Sequence, residues 1–443
     1  MCEINISKYY FGIIDMKTRK SKEMDMLNGG LVGKLILFSL PLAFSSILQQ
    51  LFNSADVAVV GRFAGDNALA AVGSCVALVG IFVNLIVGLA VGPNAVLANL
   101  IGQKQRDKIN DMVHTILTFG TILGLGLMIL GFASARIILE LSGTPSGVLA
   151  EALLYIRIYF LSIPFMTVYN FGAAILRSFG DTRRPMFYLI ISGIVNVILN
   201  LILVICFHLG VAGVAISTVI SNIISAVMVM VYLYRRDDEF AFRFNRMKIV
   251  RSYLRKILQI GIPSGIQGTI FSISNVFIQS GINSFGKFAI AGSSLALNFE
   301  YFTYDIANAF AQATVTFTSQ NYGVKKWKRM DKVLIDCIIL SVIVALTLGN
   351  GAYLLGPKLL RIYSEQADVV ACGMEILAYT TITYFLCGLM DLFPGALRGM
   401  GYSTVPMLLS IIGTVGMRII WICLLFPTHR SLTFLFWTAL RAP

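Results

Sequence analysis

Asp56 sits in the outer part of a long apolar run and shares that run with Ser45, Gln49 and Asn53. At about 100° per residue the four fall on one helical stripe roughly 80° wide. A carboxylate at the centre of a bilayer costs about 2.5–3.5 kcal/mol on insertion scales, so each such acid needs a local reason. A polar stripe on a helix kinked at Pro41 must face protein or water rather than lipid. Further along, Ser192, Asn196 and Asn200 lie four apart, and Ser217, Thr218, Ser221, Asn222 and Ser225 follow in the next apolar run. Amide and hydroxyl oxygens are hard ligands that suit a sodium ion beside one carboxylate. A carboxylate alone can hold a proton. The equally plain reading of the amides and hydroxyls is hydrogen-bonded helix packing.

The second half of the chain has its own acids. Glu300 lies about ten residues into an apolar run, by helix counting. Tyr301, Asp305, Asn308 and Gln312 form a separate, narrower stripe about 60° wide, with Asp305 near the expected midplane. Asn308 and Gln312 are placed to satisfy Asp305, and with Gln49 and Asn53 they are candidates to line a substrate cleft. Asp391 falls in a later run, and Arg418 is central in the one after it. Arg418 is the natural counter-ion for one of these acids, and the sequence leaves open which. Arg177 and Arg398 read as cationic last turns at helix stops, each followed three residues later by glycine and then by Pro185 or Pro406.

Nothing in the chain points to catalysis. Seven cysteines are scattered without a CxxC pair and three histidines lie far apart. There is no P-loop and no nucleophile elbow. The protein is expected to be no enzyme and to hold no resident cofactor.

The elements that position these residues follow from composition. The chain is 57% hydrophobic and 13% charged, far from a soluble protein of this size. About twelve stretches approach a bilayer span of about 20 residues. A barrel would instead alternate apolar and polar residues in segments of about 10. The expected spans are 35–59, 69–98, 112–134, 149–175, 186–207 and 211–233, then 257–283, 290–318, 333–355, 370–396 and 406–426, with a fragment from 431.

The net charge of +13 is a matter of topology rather than of nucleic-acid binding. The segments 1–34, 99–111, 177–185, 234–256, 320–332 and 398–405 hold 26 of the 35 Lys and Arg, and the opposite loops hold six. That bias places the N-terminus in the cytoplasm and the protein, multi-pass, in the cytoplasmic (inner) membrane.

The chain is also duplicated. Leu176–Met186 returns as Leu397–Met407, 221 residues on, with Arg177 and Arg398, Gly180 and Gly401, and Pro185 and Pro406 in register. Gly65, Ala68 and Ala70 pair with Gly286, Ala289 and Ala291 at the same offset. Each half has an even number of spans, so the repeats should be parallel, related by an axis along the membrane normal. The fold class is therefore all-α integral membrane, two six-helix lobes around a central cleft. The divisions are a tail at 1–30, a first lobe at 31–236, a linker at 237–256 and a second lobe at 257–443. The partner of the sixth span would occupy 431–457. The 13 residues of 431–443 would make roughly 20 Å of helix, so the closing helix is expected to be incomplete.

Four segments in order and in duplicate carry a family resemblance: LPLAFSSILQQLFNSADVAVVGRFAGDNALAAVG (40–73), AAILRSFGDTRRP (173–185), NAFAQATVTFTSQNYG (308–323) and GALRGMGYSTVP (395–406). The chain resembles the multidrug and toxic compound extrusion (MATE) family over roughly 24–430. The resemblance implies a secondary exporter that exchanges organic cations and other amphipathic compounds for sodium ions or protons. Its cleft would open alternately to either side, and it is expected to work as a monomer. The resemblance also implies a cation or proton site in the first lobe formed by Asp56, Asn196, Asn200 and Thr218. Some relatives carry Asp where this chain has Asn200, which leaves the coupling ion open. The alternative within the broader superfamily is a lipid-linked oligosaccharide flippase.

Overall fold

The computed structural model describes residues 24–283, 285, 287–363, 366–426 and 428. The expected fragment from 431 lies outside the described residues, as does the side chain of Glu300.

Eleven helical spans follow one another among the described residues. In the first half they are α1 (Val32–Phe63), α2 (Asp66–Gly102), α3 (Arg106–Leu141), α4 (Ser146–Phe160 continued by Ile163–Ser178), α5 (Arg183–Leu201) and α6 (Gly210–Arg235). In the second they are α7 (Arg251–Asn283), α8 (Lys287–Gly323), α9 (Trp327–Tyr363), α10 (Ala367–Gly399) and α11, which begins at Thr404–Ser410. The sequence-based spans hold, and most helices outrun them. At 32 residues α1 is about 48 Å long, more than the hydrocarbon thickness of about 30 Å. Seven described spans are long and apolar enough to cross a membrane, or eight with the two pieces of α4 taken together. The long helices that fall short, α7, α8 and α10, all line the cavity between the lobes, together with α2, the end of α4 and α11.

Three irregularities were not visible in the residue pattern. The span α4 bends by 43° at Leu161–Ser162, where Pro164 has no amide hydrogen to give the preceding turn and its ring crowds that turn's carbonyl. The end of α5 widens into a π turn at Ile202–Cys206, just past Asn200. In α11, π segments at Ile411–Gly416 and Trp421–Leu425 flank the single α turn that carries Arg418. Such π turns shift side chains out of α register.

The duplication is present in the backbone. Gly180 and Gly401, which follow the helix ends inside the repeated motif, have φ of +95° and +96°, a conformation open to glycine at no steric cost. Lys104 and Lys325, also 221 apart, have φ of +57° and +56°. The contact between α2 and α8 is reciprocal. A Cβ on Gly102 would fall 2.1 Å from the Gln320 carbonyl oxygen, and one on Gly323 would fall 2.5 Å from that of Asn99. Residues 99 and 320 are themselves repeat mates. Reciprocity of this kind is what a two-fold axis between parallel repeats produces.

The lobes meet toward the basic face, where the N-terminal segment and the linker lie. Asn94 Nδ2 donates to Thr316 Oγ1 at 2.9 Å, and Gln320 Nε2 to the Ser178 carbonyl at 2.7 Å. Met26, Leu35 and Phe38 from the start of the first lobe are fully buried with Phe317, Val333 and Cys337 of the second. Arg329 reinforces this seam by donating to the carbonyls of Met26, Asn28 and Gly29 at 2.9–3.0 Å. The linker is not a loose polar connection. Phe240 and Phe242 are 1% exposed, Arg236 lies over the Phe179 and Phe240 rings, and the Arg243 amide donates to His114 Nε2 at 3.0 Å.

Candidate functional site

Two polar centres emerge. In the first lobe α1 packs on α5 and α5 on α6. Asn196 and Asn200, one turn apart on α5, are 5% and 0% exposed. Asn200 Nδ2 donates to Asp56 Oδ1 and contacts Asn196 Oδ1 at 3.4 Å. The Asn200 side-chain oxygen, Oδ1, is buried and has no hydrogen-bond partner. A carboxylate, an amide oxygen already engaged and an unsatisfied amide oxygen thus share one spot, a donor set that fits a hard cation or a proton. Thr218 is half-buried on α6, and its Oγ1 donates to the Val214 carbonyl of its own helix at 3.0 Å. The structure joins Asp56, Asn196 and Asn200 by hydrogen bonds, while the Thr218 hydroxyl gives its proton to its own helix and keeps its lone pairs. Sequence reasoning missed Tyr155 and Tyr159, stacked with centroids 6.2 Å apart and near enough for the charge of Asp56 to reach them. Their spacing of four on α4 was the available signal.

The helix 1 stripe holds only in part. Gln49 and Asn53 are exposed and do not line the cavity between the lobes. The outer half of α1 has few apolar neighbours: Leu51, Val57 and Phe63 are exposed as well. A stripe fixes a direction but does not supply a partner surface.

The second centre is that cavity, about 540 Å³, bounded by α2 and the end of α4 on one side and by α7, α8, α10 and α11 on the other. Asp305, Asn308, Gln312, Asp391 and Arg418 all line it, as do Arg177 and Arg398. A directed chain of hydrogen bonds crosses it. Arg177 Nη1 donates to Gln312 Oε1 at 3.3 Å, Gln312 Nε2 to Asn308 Oδ1 at 3.1 Å, and Asn308 Nδ2 to Asp391 Oδ2 at 3.2 Å. Tyr304 Oη donates to the same oxygen at 2.8 Å. Asn308 and Gln312 therefore serve Asp391 and not Asp305, because α8 packs along α10, which presents Asp391 to them. Arg418 lies over the Phe271 ring at 5.6 Å and donates to Asn275 Oδ1 at 3.1 Å.

The reading of Arg177 and Arg398 as cationic last turns at helix stops holds, since each lies in the final turn of its helix. Helices α4 and α10 run to Ser178 and Gly399, about one turn further than expected. Both guanidiniums also line the cavity. Arg398 Nη2 donates to Gln267 Oε1 at 2.6 Å, and Gln267 Nε2 to Ser410 Oγ at 3.0 Å.

Two parallel lobes, a half-buried acid inside one of them and a charged cavity between them describe a membrane transporter. The MatE family model matches residues 41–202 and 263–423, one copy per repeat. The chain belongs to that family, the multidrug and toxic compound extrusion transporters. It is 28% identical over 394 residues to the probable multidrug resistance protein YoeA of Bacillus subtilis strain 168, covering 86% of this chain and 84% of that protein. It is 23% identical over 406 residues to the multidrug export protein MepA of Staphylococcus aureus strain MW2, covering 91% and 89%. The fold superposes on a MATE crystal structure in complex with MaL6 with a TM-score of 0.87 at 21% identity, covering 95% of both chains. An outward-facing multidrug resistance MATE transporter gives 0.86 at 22%, covering 95% and 94%.

Proposed function

We propose that this chain exports organic cations and other amphipathic drugs from the cytoplasm in exchange for sodium ions or protons loaded at Asp56. The observation that carries the reading is the Asp56–Asn200 contact with the Asn200 side-chain oxygen left buried and unpartnered beside it. An arriving cation would be held by the carboxylate and that oxygen. It would neutralise the acid and reset the packing of α1 against α5, which shifts the balance between cleft orientations. The names of YoeA and MepA support drug export. The basic face is assigned to the cytoplasm by its excess of Lys and Arg. The protein is taken to act as a monomer in the cytoplasmic membrane, with no resident cofactor and no nucleic-acid partner.

The test uses vesicles loaded with a fluorescent organic cation. Efflux driven by an imposed sodium gradient is compared with efflux driven by a proton gradient, for the wild type and for Asp56→Asn. One gradient should drive efflux in the wild type and fail to do so in the variant. Equal gradient-driven efflux in both proteins rules out loading at Asp56.

A further inference from the structure

The acids of the cavity were anticipated, but its two deepest cations were not. Arg177 and Arg398 are repeat mates, so the two-fold axis brings one guanidinium from each lobe to the basic end of the same cavity. Each bonds to a neutral glutamine oxygen, Gln312 or Gln267. The Nε of each is buried with no hydrogen-bond partner. No described carboxylate forms an ion pair with either. Asp391 is within electrostatic reach of Arg398, yet its Oδ2 already accepts from Tyr304 and Asn308. A buried cation without a bonded anion is costly, and such a residue inside a membrane protein marks a ligand path by default. A guanidinium offers a planar fork of donors that matches a carboxylate in a way a single ammonium does not.

We infer that Arg177 and Arg398 form an anion subsite at the basic end of the cavity, which seats the carboxylate of an amphipathic substrate. The inference rests on the export reading above and narrows its substrates to molecules that carry an anionic group as well as an apolar or cationic body. Asp305, on another wall of the same cavity, is available to the cationic end. The volume suits one small molecule, since ligand pockets run from about 300 to 1,000 Å³.

The test is a binding titration on detergent-purified protein, followed by fluorescence anisotropy, with a rhodamine free acid and its methyl ester. The two dyes share one scaffold and differ in the carboxylate. The wild type should bind the acid roughly tenfold or more tightly than the ester, the scale of one charge-assisted pair. Arg177→Gln and Arg398→Gln should each bring that ratio toward one, and Arg177→Lys should keep part of it. A wild-type ratio near one, a ratio that survives both glutamine substitutions, or an equal loss of both dyes in the variants would overturn the subsite. Repeating the titration with added phosphatidylglycerol separates a soluble carboxylate from a lipid headgroup: competition by the lipid at low mole fraction would reassign the site and overturn the proposal. No ion gradient enters this measurement. Failure of driven efflux with the acid preference intact therefore counts against Asp56 loading alone.

Discussion

The two lobes descend from one repeat and keep its turns, yet they use their interiors for different chemistry. Gly180 and Gly401 share a backbone conformation, as do Lys104 and Lys325. In the first lobe α5 carries Asn196 and Asn200 toward Asp56. Their mates in α11 are Met417 and Trp421, at or beside the π segments. The first lobe thus holds a centre with one half-buried acid and two buried neutral amides. The second presents Asp391, Tyr304 and Asn308 on a cavity wall, wired by amides to an arginine of the other lobe. Where the repeats touch each other, around Gly102 and Gly323, symmetry is retained because each contact is made twice. Where each lobe encloses its own space, that constraint is absent and the residues have diverged.

The comparison breaks most directly at Asp56. Asp56→Asn keeps the shape of the side chain and removes the charge, so binding of a cation loses its main electrostatic term. Gradient-driven efflux should fall by about a hundredfold or more, given that a buried charge–cation contact is worth several kcal/mol at intermediate dielectric. Asp391→Asn should cost less, about tenfold, because Tyr304 and Asn308 can still hydrogen-bond the amide oxygen. Transport assays on the two variants side by side check the order. An Asp391 variant as inactive as the Asp56 variant would show that the lobes are functionally equivalent after all.

A structural prediction sharpens the symmetric part. Gly102→Ala and Gly323→Ala each push a methyl into a backbone carbonyl of the opposite lobe. Overpacking of this kind costs about 1–3 kcal/mol. Both variants should lower the melting temperature by several degrees in detergent, Gly102→Ala more, since its contact is the tighter. A large drop in one and none in the other would mean that the reciprocal contact is not shared in energy.

Much of this was legible in the residues. The spans, the parallel repeat and the polar face of α5 followed from apolar runs and from spacings of four. What failed did so for physical reasons. Asn308 and Gln312 share a stripe with Asp305, but the neighbouring helix decides which acid they serve, and α10 supplies Asp391. Arg177 and Arg398 occupy the last turns where they were expected, but the pattern did not show that those turns face the cavity. A helix boundary read from apolarity stops at the first charge, whereas these helices continue because the lobe interface accepts that charge. The expectation for Glu300 falls on a side chain outside the described residues.

The smallest predicted effect lies at the strap of residues 24–31, which ties the start of the first lobe to α8 and α9 of the second. Asp25 accepts from the amides of Leu27 and Asn28 at 2.9 and 3.1 Å and from Asn28 Nδ2. Partial burial alone would raise its pKa, but those hydrogen bonds and the nearby Lys34 ammonium outweigh it and hold the carboxyl below its ordinary value of 3.8. A depressed folded pKa means the contribution is present above the unfolded value and is lost as pH falls through the folded one. The strap should therefore hold at neutral pH and loosen only in strong acid, below about pH 4. Hydrogen exchange over residues 24–31, corrected for the intrinsic rate, should show protection that declines below that pH in the wild type. In Asp25→Ala protection should be slightly lower at neutral pH and should not change further on acidification, because the group that titrates is gone. Identical protection in the two proteins at every pH would mean that Arg329 and the burial of Met26 hold the strap without help from Asp25.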